Sequence, residues 1–183
     1  TPLRLALQRD EDHDVRAYSA LALTRLGEGA SLTRELLETG DVHWRRRAAL
    51  ALAESGDKRG MNELLGWWMD KAPRPFEVSA QLIAAFARAK EEDAVWPLTL
   101  SLGDVRLRPY VVAALGAIGD ETAINPLVSQ FKREPYKNNR AELAKALLTL
   151  GAGPELAVPL RPWLGVGEPT ADGIATAIAA GVL

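Results

Sequence analysis

The chain has 183 residues, 48% hydrophobic and 25% charged, with 22 Lys and Arg against 24 Asp and Glu for a net charge of −2. That balance argues against a dedicated nucleic-acid binder, which normally carries a basic face. With no Cys there is no disulfide framework, thiolate nucleophile or Cys-based zinc site, and two His leave little room for a multi-histidine metal centre.

The apolar stretches are short and interrupted, so none is expected to span a membrane. The first residue is Thr1, and no charged segment leads into an apolar one. Leu3 to Leu7 reads as the tail of a helix, and Thr170 to Ala180 carries another helical pattern near the far end. Both ends read as cuts through a regular array, so the sequence is expected to be an excerpt of a longer protein. The lack of Cys fits the cytoplasm and a bacterial periplasm alike.

Along the chain one frame recurs. Ala20-Leu21-Ala22-Leu23 leads to Leu26-Gly27, Ala49-Leu50-Ala51-Leu52 to Ser55-Gly56, and Ala113-Ala114-Leu115-Gly116 to Ile118-Gly119. Ala144, Ala146 and Leu147-Leu148 lead in the same way to Leu150-Gly151. A weaker copy over Leu82 to Ala89 carries Lys90 at the glycine position, and a half copy ends at Gly181. The anchors 27, 56, 90, 119, 151 and 181 are spaced by 29, 34, 29, 32 and 30 residues. The longest step contains the Pro-bearing stretch Asp70 to Pro75.

Each unit reads as two helices. The first is rich in Ala and Leu and ends at the anchor, which suits a left-handed position just past a helix end. In the second, apolar residues fall five, eight, nine and twelve positions after the anchor. These are Met61, Leu64, Leu65 and Trp68, then Val95, Leu98, Thr99 and Leu102, the Thr being the one exception, then Ile124, Leu127, Val128 and Phe131. That spacing makes one stripe of a helix. A single short pair cannot bury its stripe alone, so neighbouring pairs must stack, giving an all-α solenoid.

The run Asp14-Val15-Arg16 followed by Ala20-Leu21-Ala22-Leu23 and Leu26-Gly27 resembles the HEAT-like repeat also found in phycobilisome lyases. The resemblance covers the whole chain, residues 1–183, as a single repeat domain of about five and a half units. It implies a right-handed, armadillo-like superhelix whose second helices line the concave surface used for binding. Tetratricopeptide repeats fit worse, because the period is shorter and their Trp, Tyr and Pro pattern is absent.

Two charged columns share the frame. Arg16, Arg45, Ser79, Arg108 and Arg140 stand eleven residues before the anchors, and Asp12, Asp41, Pro75, Asp104 and Tyr136 stand fifteen before. Asp and Arg four apart can bridge, and the Asp can cap the helix start. The expected role is structural, a ladder setting the register between repeats, as the resemblance implies.

Partner-contacting candidates come from the columns away from the stripe: Glu63, Asp70, Leu100, Asp104, Ser129 and Arg133. Trp67 and Trp96 join them because each stands where other units carry polar residues. For these two tryptophans, packing between repeats and service as an aromatic anchor are the competing roles. Trp44 and Trp68 align with Val15 and Phe131 and read as core, while Trp163 takes no assignment. Arg46 and Arg47 read as a solvated face beside Arg45. His13 and His43 have no paired carboxylate in a repeated motif, which departs from deoxyhypusine hydroxylase, a HEAT-like di-iron enzyme.

No phosphate loop, nucleophile elbow, metal-ligand spacing or catalytic carboxylate pair is present. The reading is therefore a non-catalytic scaffold that binds a protein or peptide, or another domain of its own chain, without cofactor, metal, nucleic acid or membrane. A bilin lyase or isomerase is the alternative that the resemblance implies. A HEAT-like DNA-repair protein comes third, because Glu63, Asp70 and Asp104 replace the basic surface such proteins need.

Overall fold

A computed structural model describes residues 2–70 and 72–152. Among these residues there are ten α-helices and no strand. The chain divides into two compact units, Thr1–Ala89 and Lys90–Leu183.

The first unit contains α1 (Pro2–Arg9), α2 (His13–Arg25), α3 (Ala30–Thr39), α4 (Val42–Glu54), α5 (Met61–Met69) and α6 (Phe76–Ala89). Consecutive helices pack on one another from α1 to α6, while α2, α4 and α6 also form a row of their own, α2 on α4 and α4 on α6. The second unit contains α7 (Val95–Thr99), α8 (Arg108–Ile118), α9 (Ile124–Arg133) and α10 (Lys137–Thr149). There α7 packs on α8, and α10 packs on both α8 and α9.

Small residues let the helices approach closely. Ala17, Leu21, Leu36, Ala48 and Ala51 form one buried cluster in the first unit, with Leu37 and Trp44 at its edge. A Cβ at Gly60 would lie 2.6 Å from the Ala49 Cα, so the turn that opens α5 lies directly against α4. The apolar stripe of the second helices faces inward: Met61, Leu64, Trp68, Val95, Leu98, Leu102, Leu127, Val128 and Phe131 are all buried.

The anchors share one backbone conformation. Gly27, Gly56, Gly119 and Gly151 have φ of 81°, 87°, 88° and 76°, and Lys90 has φ of 49°. Gly181 and Trp163 lie outside the described residues. Lys90 is the one non-glycine residue with positive φ among the described residues, and a Cβ there is strained. Lys90→Gly is expected to raise stability by about 0.5 kcal/mol, the relief of roughly 1–2 kcal/mol being partly offset by glycine's greater freedom in the unfolded chain. A lower denaturant midpoint in the variant would show instead that the Lys90 side chain makes contacts worth more than the strain.

One expectation needs correction. The second helix of the third repeat is not a continuous α-helix: it stops at Thr99, and Leu100–Gly103 tightens into a 3-10 turn. The Thr99 hydroxyl donates to the Trp96 carbonyl at 2.7 Å, and Pro97, the third residue of the helix, is buried.

Candidate functional site

The Arg column does not serve as an ion-pair partner for the Asp column; the two groups cap different helices. Asp12 and Asp41 accept the backbone N–H of Asp14 at 2.8 Å and Trp44 at 3.0 Å, closing the starts of α2 and α4. Asp104 accepts from the N–H groups of Arg106 and Leu107 in the turn before α8. The guanidiniums reach backwards instead, to carbonyls five and six residues earlier. Arg16 donates to the Asp10 and Glu11 carbonyls, Arg45 to Gly40, Arg108 to Leu102 and Gly103, and Arg140 to Glu134 and Pro135.

These carbonyls lie at or just past the ends of the preceding helices, where backbone acceptors have no partner of their own and a cation is favoured. Each Arg therefore ties the end of one unit to the start of the next. Where the third repeat carries Ser79 in this column, Arg74 from the Pro-bearing stretch does the equivalent work. It donates to the carbonyls of Trp67, Trp68 and Asp70 at the end of α5, and its guanidinium stacks 5.3 Å from the Trp68 ring centre.

Glu63, Trp67 and Asp70 are brought together by a residue that the sequence placed in solvent. Arg46 on α4 donates to Asp70 at 2.9 Å, lies 3.9 Å from a Glu63 oxygen and places its guanidinium 5.1 Å from the Trp67 ring centre. Its side chain is only 24% exposed. Arg45 approaches the other Glu63 oxygen at 3.3 Å. The Ala72 N–H and Arg46 together hold the Asp70 carboxyl below its usual value. These three candidates thus belong to a network inside the first unit. Nothing in the spacing of Arg46 marks it, since its partners lie on α5 and the following turn.

Beside this network runs a groove of about 530 Å³ along α4, lined by Val42, His43, Arg46, Arg47 and Leu50. Arg25 of α2, Trp67 of α5 and Val78 and Gln81 of α6 complete it. Arg47 donates to Nε2 of His43 at 2.8 Å and stacks 5.4 Å from the Tyr18 ring centre. Trp44, read as core, is half-buried and takes edge contacts from His13, Tyr18 and His43. Trp68 is buried against Phe86. Both histidines therefore pack against an aromatic ring, and among the described residues no cluster of three or more metal-ligating side chains occurs.

The second unit presents a different surface. Trp96 and Leu100, one helical turn apart, are 63% and 65% exposed. Asp104, Ser129 and Arg133 are exposed as well. Beneath, Glu134 is fully buried and joined to Arg108 at 2.7 Å. Burial pushes the Glu134 carboxyl up, but hydrogen bonds from Asn139 and the Tyr136 N–H, with Arg108 beside it, outweigh that and hold it below its usual value.

A family model for the PBS lyase HEAT-like repeat matches residues 107–131. Those residues span α8, the Gly119 anchor and α9 up to Phe131, one complete helix–turn–helix unit. That match supports a HEAT-like repeat protein. No curated protein matches the chain. The helices packed in neighbouring pairs are those of a HEAT-like helical solenoid, and no helix among the described residues is long and apolar enough to cross a membrane.

Proposed function

We propose that the chain is a non-catalytic interaction scaffold that takes a peptide or helical segment of a partner protein on the surface presented by its second helices, the concave one by family resemblance. The observation that carries this reading is the exposure of Trp96 and Leu100. The stripe residues Val95, Leu98 and Leu102 of α7 and its continuation are buried, and two large apolar side chains off that stripe, left in water a turn apart, suit insertion into a partner. Asp104, Ser129 and Arg133 occupy the same register and would supply the polar rim.

The test is affinity capture from the native lysate with the wild-type chain and a Trp96→Ser/Leu100→Ser variant, read by mass spectrometry. Both residues are mostly in water, so circular dichroism should show unchanged helicity. A retained protein should bind the variant roughly tenfold or more weakly, as expected for loss of a central aromatic anchor. Identical capture profiles would remove this surface from consideration.

A further inference from the structure

The groove along α4 in the first unit is lined by three guanidiniums and no carboxylate. We infer that it is a second docking surface, for an acidic peptide segment in which Asp or Glu residues flank a Leu or aromatic side chain. This surface is independent of Trp96 and Leu100.

The charges decide the class of partner. Arg25 is paired with Glu54 and Arg46 with Asp70. Arg47, the third, has no carboxylate partner among the described residues; its contacts are Nε2 of His43 and the Tyr18 ring. It is exposed, and its remaining N–H donors match a carboxylate in the two-pronged geometry that guanidinium favours. Val42, Leu50, Val78 and Trp67 line the same groove, an apolar lining that an inorganic anion would leave unused. A volume of about 530 Å³ accommodates a few side chains. A nucleic acid is the poorer fit, because Glu54, Glu63 and Asp70 border the arginines and break any continuous basic track for a phosphate backbone.

Selection of a random peptide display library on the intact chain at physiological salt tests this. Acidic sequences containing Leu, Phe or Trp should be enriched, and synthetic copies should bind about tenfold more tightly than their Gln and Asn counterparts. Arg47→Gln should weaken those peptides by about tenfold, and Arg25→Gln/Arg47→Gln by more, with helicity unchanged, while Trp96→Ser/Leu100→Ser leaves them bound. No enrichment, enrichment of neutral or basic sequences, or binding that survives the double Arg variant would overturn the inference. Displacement of the peptides by an equal concentration of duplex oligonucleotide would overturn it in favour of a polyanion site.

Discussion

Arg108→Met is expected to lower the free energy of unfolding by about 3–5 kcal/mol, the range for removing one partner of a buried ion pair. The Arg108 side chain is 13% exposed, and it satisfies the Leu102 carbonyl at 2.7 Å together with the Glu134 carboxylate at 2.7 Å. Methionine fills the volume and supplies no donor. The carboxylate would be left buried with Asn139, Gln130 and the Tyr136 N–H, and the end of the 3-10 turn would lose its cap. Denaturant unfolding monitored by circular dichroism measures the loss. A change below about 1 kcal/mol would mean that water enters and replaces the guanidinium, as at an exposed pair.

The same pair sets an acid dependence. The folded Glu134 carboxyl titrates below its ordinary value of 4.5, so its contribution is fully present above that pH and is lost as the pH falls through the lower folded value. The wild type should therefore lose stability steadily below about pH 4.5, and Arg108→Met should lose less over that range, because removing the cation removes part of the depression. Equal slopes in the two proteins would assign the acid sensitivity to other carboxylates, such as Asp57, which Arg59 and Arg34 hold low.

Arg74→Ala comes next, at about 2–3 kcal/mol. A single guanidinium serves three carbonyls at the end of α5 and stacks on Trp68, so its removal strands several acceptors at once. Arg74→Lys should recover less than half of the loss, since one ammonium cannot span the acceptors that the planar fork reaches. Full recovery by Lys would show that charge at the helix end matters and the geometry does not.

Arg74 also shows where reading the sequence reached its limit. Ser79 and Lys90 make the third repeat look degenerate, yet the backbone at its anchor and the cap on the helix before it follow the other units. Lys90 takes the left-handed conformation of the anchor glycines, and Arg74 caps the preceding helix from outside the aligned column. The column had marked a position, whereas folding requires only that some guanidinium reach the open carbonyls. Arg46 is the converse case. Its neighbours Arg45 and Arg47 suggested a solvated run of charge, and the nearness of Glu63, Trp67 and Asp70 turned it into the centre of a network.

Helix pairing, the anchors and the buried stripe were legible in the residues because each depends on local geometry. A positive φ selects glycine with few exceptions, and a helical period aligns apolar side chains on one face whatever they meet. Which charges pair, and which aromatic rings stay in water, could not be read in that way. Arg108 meets Glu134 from 26 residues away and Arg46 meets Asp70 from 24, and Trp67 is covered by α4 while Trp96, in a similar sequence setting, is left open. These outcomes depend on what an adjoining helix brings to the same place, and only the packed structure decides that.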